Sequence, residues 1–207
     1  MIRMIEEFIT ITGAGDICLE GYLNRQETGK AVVLAHPHPL YGGNMDVPVI
    51  CRMAKCFQSA GIASLRFNFR GTGGSSGKFD EGRGEQDDVR SALDFLSDQG
   101  YDQLSLAGYS FGSWVNAHVV SGGVDLCDHI MVSPPAAMLS FDQVEQLPNT
   151  GLIITGENDD LAPVSLVHNL LSKWGITPRV EVLSNVDHFY GGGLDKLAAV
   201  LSDYLQS

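Results

Sequence analysis

The sequence predicts an α/β fold: a mostly parallel, twisted sheet of about eight strands with helices on both faces. Three observations predict it. Short apolar runs alternate with amphipathic stretches almost from end to end, which is the βαβα order of a parallel sheet. Some runs, such as Ala31-Val32-Val33-Leu34-Ala35, are apolar without alternation, as in strands covered on both faces. Glycine, with 24 copies, punctuates the changes between segments.

Each element follows in order. Residues 8–12 and 17–23 read as two opening strands around the turn Gly13-Ala14-Gly15. Residues 31–35 are the buried third strand. Pro48 opens a helix with Val49, Met53 and Phe57 on one stripe, and Gly61 closes it. Residues 62–69 form the next strand. Residues 87–98 repeat apolar side chains at Val89, Leu93 and Leu96, a helical spacing, with Gly100 just beyond. Then come a strand at 103–107, a helix at 111–120 and strands at 129–132 and 152–155. The helix at 163–174 puts Leu166, Leu170 and Trp174 in line; a strand at 179–183 and a helix at 194–205 finish the chain. The longest polar interruptions, residues 71–84 and 133–149, are short enough to be loops. Residues 1–207 are therefore expected to form one domain, large enough to need no disulfide or metal staple.

Composition narrows the function. With 13 Lys+Arg against 25 Asp+Glu, the net charge is -12, which argues against nucleic acid or an anionic membrane as partner. The balance of 44% hydrophobic and 18% charged residues excludes a disordered chain. The first ten residues carry Glu6 and Glu7 where a signal peptide needs an apolar core. No apolar run approaches the ~18 residues of a membrane span. Cys18, Cys51, Cys56 and Cys127 form no C-x-x-C pair and read as small buried hydrophobes in a reducing compartment. The expectation is a soluble cytoplasmic protein, a monomer or homodimer, acting on a small molecule.

In such sheets, sites gather at the carboxyl ends of the strands. After strand 103–107 the chain reads Gly108-Tyr109-Ser110-Phe111-Gly112 and enters a helix. This is G-x-S-x-G in its strand–turn–helix setting, a sharp turn that presents a serine hydroxyl above the sheet. The hydroxyl needs a base, and the base an orienting carboxylate, in the chain order Ser, Asp, His. Strand 152–155 is followed by Gly156-Glu157-Asn158-Asp159-Asp160, and strand 179–183 leads into Asn185-Val186-Asp187-His188-Phe189. His188 is the candidate base and Asp159 or Asp160 the candidate acid. Asp187 is adjacent to the histidine, so its side chain points away. One oxyanion donor should be the N–H of Phe111. The other should come from the loop after 31–35, where Pro37 and Pro39 have no N–H, leaving His38, Leu40 or a later residue.

Other features read as structural. His36 and His38 form an H-x-H pair but have no third ligand nearby, so His36 is taken to brace the oxyanion loop, with no metal and no cofactor. The stretch 71–78 fails the phosphate-loop template at Thr72 and Phe79 and reads as a flexible turn beside the site. Arg70, Glu85, Asp87 and Asp88 read as ion pairs and caps.

The sequence resembles the α/β-hydrolase fold proteins. Within them it is similar to a small bacterial group of dienelactone-hydrolase-like serine esterases, on the runs His36-Pro37-His38-Pro39, Tyr41-Gly42-Gly43-Asn44-Met45, Arg66-Phe67-Asn68-Phe69-Arg70-Gly71 and Gly84-Glu85-Gln86-Asp87-Asp88. The similarity runs from about residue 21 to 205. It implies an ester hydrolase with a serine in place of the cysteine of true dienelactone hydrolases. It also implies a G-x-x-D acid loop, which fits Gly156 to Asp159 with Pro163 following and leaves Asp160 to cap the helix. The group's oxyanion pattern places the second donor at His38, with Leu40 as runner-up. Lids in this fold follow the sixth strand. Here that space is only residues 133–147, so little or no lid is expected. Pro134, Pro135, Met138, Leu139 and Phe141 would form one apolar wall of an open cleft for short acyl groups, and Tyr41 another.

The resulting expectation is a serine carboxylesterase with catalytic residues Ser110, Asp159 and His188. A thioesterase or small peptidase would use the same residues. The readings from other classes are a non-catalytic binding protein of this fold and a metal-dependent hydrolase centred on His36 and His38.

Overall fold

The computed structural model describes residues 6–207; residues 1–5, half of the stretch read for a leader, lie outside the described residues. Eight strands, β1 (Glu7–Thr12), β2 (Cys18–Asn24), β3 (Lys30–Ala35), β4 (Ala63–Phe67), β5 (Gln103–Tyr109), β6 (Asp128–Val132), β7 (Thr150–Gly156) and β8 (Arg179–Leu183), form one sheet in the order β1-β2-β4-β3-β5-β6-β7-β8. The β1–β2 and β2–β4 pairs are antiparallel, and all the others are parallel. Five helices cover it: α1 (Pro48–Ser59), α2 (Arg83–Asp98), α3 (Phe111–Ser121), α4 (Val164–Trp174) and α5 (Leu194–Tyr204).

Side chains alternate across a strand, so one apolar run supplies two cores. In β3, Ala31, Val33 and Ala35 join one cluster while Val32 and Leu34 join the other, all fully buried. The first cluster packs against α2, α3 and α4, through Val89, Val115 and Trp174 among others. The second packs against α1 and α5, where Val49, Met53 and Phe57 form the stripe that the spacing predicts. Burying each such side chain contributes about 1.5–3 kcal/mol.

Three departures from the expected layout have local causes. Strand β4 stops at Phe67: Asn68 N–H still reaches the Glu20 carbonyl of β2 (2.9 Å), but Glu20 N–H turns to Ser75 Oγ (3.1 Å) and Phe69 N–H to His36 Nε2 (3.0 Å). Helix α2 begins at Arg83, a turn before its apolar pattern. There Glu85 accepts from the N–H groups of Gly82 (2.7 Å) and Asp80 (2.9 Å). The stretch 71–78, expected to be flexible, is pinned to β2: Ser76 N–H donates to the Cys18 carbonyl (2.8 Å), Glu20 N–H to Ser75 Oγ (3.1 Å) and Gly74 N–H to Glu20 Oε1 (2.7 Å).

The cysteines divide. Cys56 is buried and Cys51 half-buried, but Cys18 and Cys127 are exposed, so packing does not explain those two; all four thiols are free. No helix among the described residues is long and apolar enough to cross a membrane.

Candidate active site

The carboxyl ends of β3, β5, β7 and β8 converge on one cleft. Ser110 stands between β5 and α3 with φ 54° and ψ -120°, a backbone conformation that L-residues rarely adopt. Tight packing holds it there. A Cβ on Gly108 would come within 2.5 Å of the Gly112 backbone, and one on Gly112 within 2.1 Å of the Ala35 carbonyl oxygen. Glycine is needed at Gly108 because a Cβ there would strike the other flank of the elbow, and at Gly112 because the elbow lies directly on the end of β3.

From Ser110 an unbroken hydrogen-bonded chain runs inward. Ser110 Oγ is 2.9 Å from His188 Nε2, and His188 Nδ1 is 2.8 and 3.0 Å from the two carboxylate oxygens of Asp159. All three residues are buried, with 7%, 6% and 3% exposure for Ser110, His188 and Asp159. Asp159 also accepts the N–H groups of Leu161 (3.0 Å) and Ala162 (2.7 Å). Burial pushes its carboxyl group up, but hydrogen bonds from His188, Ser133 and Ala162 outweigh this and leave it below the usual carboxylate range. Such a chain can carry a proton from the serine hydroxyl to the imidazole while the carboxylate fixes the tautomer.

The acid turn corrects one expectation. Asp160 is exposed and α4 starts without a side-chain cap, so Asp160 does not cap that helix. Asp159 both faces His188 and ties down its own turn. Asp187 does the same for the histidine turn, where its Oδ1 accepts from Phe189 N–H (3.1 Å) and Gly191 N–H (3.2 Å). The Tyr109 hydroxyl donates to the His188 carbonyl at 2.6 Å, which ties this turn to the serine elbow.

The loop after β3 is shaped by its two histidines. His36 is fully buried. Its Nδ1–H donates to the Pro37 carbonyl (2.6 Å) and its Nε2 accepts from Phe69 N–H (3.0 Å), which braces the loop as expected. Both ring nitrogens are thus occupied, and His36 cannot join His38 around an ion. Burial lowers its pKa to about 4, so the ring is neutral. His38 Nδ1 accepts from Leu40 N–H at 3.3 Å, and the His38 carbonyl accepts from Tyr41 and Gly43 N–H (3.1 and 3.0 Å). Leu40 is therefore committed within its own turn, with its side chain 68% exposed, and is not free to serve as the second donor. No protein acceptor among the described residues takes the His38 N–H. Phe111 supplies the first N–H of α3, which lacks an intrahelical partner by position. The His38 and Phe111 rings lie 4.7 Å apart. Phe111 follows Ser110 in the chain, and His38 lines the same cleft as Ser110.

The cleft above Ser110 has a volume of about 510 Å³. Tyr41 and Met138 line it as expected. Phe141 does not: it is 3% exposed, stacks edge-on against Trp174 at 5.6 Å and belongs to the core. Val47, Val49, Leu161 and Phe189 complete the walls. Phe189 follows His188 directly, so its neighbour was the available signal. Nothing in the sequence marked the other three. Elsewhere, Arg70 and the buried Asp88 form a two-pronged ion pair (2.8–3.1 Å), a structural role, and Asp87 is exposed.

This chain is similar to known proteins over nearly its whole length. An uncharacterized protein of Rickettsia prowazekii (strain Madrid E) is 34% identical over 185 residues, spanning 84% of this chain and 77% of the relative. An alpha-beta serine hydrolase homologue from Coxiella burnetii is 30% identical and superposes with a TM-score of 0.89, covering 98% of this chain and 99% of the other. A member of the a/b serine hydrolases without lid, from Xanthomonas campestris, is 28% identical with a TM-score of 0.90, covering 100% of this chain and 96% of the other. No family model matches the chain.

Proposed function

The chain belongs to the α/β-hydrolase superfamily, and we propose that it is a serine hydrolase that cleaves small, uncharged carboxylic esters through an acyl-enzyme. One observation carries the reading: the unbroken chain from Ser110 Oγ through His188 to Asp159, opening on an apolar cleft. In this account His188 Nε2 takes the Ser110 proton as Oγ attacks the ester carbonyl carbon. The developing oxyanion is met by the N–H groups of Phe111 and His38, each such donor being worth about 3 kcal/mol in the transition state. The C–O bond to the alcohol then breaks, and His188 returns the proton to the leaving oxygen. Water, deprotonated by the same imidazole, attacks the acyl-enzyme and releases the acid. Nucleophile, base and donors all come from the chain itself, so the reading needs no metal or cofactor.

The lining of the cleft supports ester over the alternatives. It carries no Lys, Arg, Asp or Glu, and the chain as a whole is acidic at -12. A polyanionic coenzyme thioester or a charged peptide terminus finds no partner there. The same reading takes residues 1–207 as one domain, acting as a monomer or homodimer in the cytoplasm.

The test is a series of p-nitrophenyl esters of rising chain length, run beside a coenzyme A thioester and a peptide anilide. Each added methylene gains ~0.8 kcal/mol only while it stays buried. With Tyr41, Met138 and Phe189 exposed at the rim, kcat/KM should rise from acetyl to about butyryl or hexanoyl esters and then fall. A steady rise through dodecanoyl overturns the short cleft. Turnover of the thioester or anilide in preference to every ester overturns the ester reading.

A further inference from the structure

Seven described non-glycine residues have left-handed backbone angles, and the three buried ones share one network. Ser110, Ser133 and Tyr190 have φ of 54°, 48° and 58° and exposures of 7%, 0% and 1%. The others, Asp16, Glu81, Asn149 and Asn185, are exposed. Residues held in this region persist only where their surroundings enforce it, and they gather at functional sites.

Ser133 leaves β6 directly beside the acid turn, and its N–H donates to the Ile154 carbonyl of β7 at 2.7 Å. Its Oγ lies 2.9 Å from the Tyr190 hydroxyl, and the Ser133 hydroxyl is one of the groups that hold the Asp159 carboxyl group below its usual range. Tyr190 belongs to the turn that carries His188. The titratable groups facing Asp159 are His188, Tyr190 and Tyr109, and Asp187 also faces Tyr109. Burial raises the pKa of both tyrosines and the Asp159 charge adds to it, so both keep their protons. Tyr190 is therefore available as a donor.

We propose that Ser133 and Tyr190 are positioning residues of this site: the Tyr190 O–H donates to Ser133 Oγ, whose own proton goes to Asp159, so that the carboxylate is held from behind while it faces His188. The chain of hydrogen bonds then runs from Ser110 through His188, Asp159 and Ser133 to Tyr190, with its two ends and its fourth member in enforced backbone conformations. The kinetic consequence rests on the ester-hydrolase reading; the structural one does not.

The experiment compares the full chain with Ser133→Ala, Ser133→Gly and Tyr190→Phe, each checked for wild-type folding. One readout is the ¹³C titration of the Asp159 carboxyl group, which needs no activity. The other is the split of kcat and KM on a short ester. Both serine variants should raise the Asp159 midpoint by at least about half a pH unit, and Tyr190→Phe should raise it less. Their kcat should fall about tenfold with KM unchanged. Glycine relaxes the backbone and alanine does not, so agreement between them assigns the effect to the hydroxyl. An Asp159 titration unchanged in both serine variants overturns the proposal whatever happens to the rate. If neither serine variant folds, an unchanged titration in Tyr190→Phe overturns it. Failure of the wild type to cleave any ester overturns the ester reading instead, and the titration still decides this one.

Discussion

Asp159 performs two tasks with one carboxylate, and substitutions can separate them. In Asp159→Asn the amide oxygen can still accept the N–H groups of Leu161 and Ala162, now at 3.0 and 2.7 Å, so the turn should survive. The amide nitrogen would then face His188 Nδ1 and force the wrong tautomer, for which about a 10⁴-fold loss of kcat is expected. Asp159→Ala removes the acceptor as well. The Ala162 N–H is buried and the Leu161 N–H partly so. Unsatisfied donors cost about 1–3 kcal/mol each, so about 2–4 kcal/mol of stability should go, a fall in Tm of roughly 5–15 °C. Asp160→Asn should change neither quantity beyond about 0.5 kcal/mol, because Asp160 is exposed and caps nothing. The pH sign agrees. A carboxyl group held below its ordinary range stabilises the fold above that range, and the contribution is lost as pH falls through the lowered value. Ester turnover and thermal melts of the three variants are the assay. Near-normal kcat in Asp159→Asn, or a larger loss in Asp160→Asn, refutes the assignment of the acid.

Two further predictions concern the frame of the site. Gly112→Ala puts a Cβ 2.1 Å from the Ala35 carbonyl and 2.7 Å from that of His36, both backbone atoms, so it should displace the loop carrying His38 and abolish turnover; wild-type kcat/KM in that variant contradicts the packing argument. His129 is fully buried, and burial lowers its pKa to about 3, so below the ordinary value of 6.5 the unfolded chain takes a proton that the folded chain refuses. Between pH 8 and pH 5 the wild type should therefore lose about 2 kcal/mol more stability than His129→Gln in urea unfolding, and parallel losses refute this.

Residues whose placement depends on chain order and local geometry were legible in the sequence. Ser110, Asp159 and His188 each follow a strand of the parallel part of the sheet, and parallel strands bring their carboxyl ends together without further information. His36 was legible as a brace because a histidine between a buried strand and a proline has few other partners. Legibility stopped where a distant side chain decides. Phe141 looks the same in sequence whether it lines a cleft or docks on Trp174. The first turn of α2 is polar and depends on Glu85 reaching back to Gly82 and Asp80. Leu40 loses its free N–H to the side chain of His38, a contact created by the turn at Pro39–Tyr41. The Ser133–Tyr190 pair joins two loops that no periodicity connects.

The account stands most directly on Ser110 as nucleophile. The decisive measurement is to treat wild type and Ser110→Ala with a fluorophosphonate and map the adduct by peptide mass spectrometry, with ester turnover recorded on the same samples. One adduct on Ser110 in the wild type, and neither adduct nor turnover in a folded Ser110→Ala, is the predicted result. An adduct on another residue, or ester hydrolysis persisting in Ser110→Ala, contradicts it.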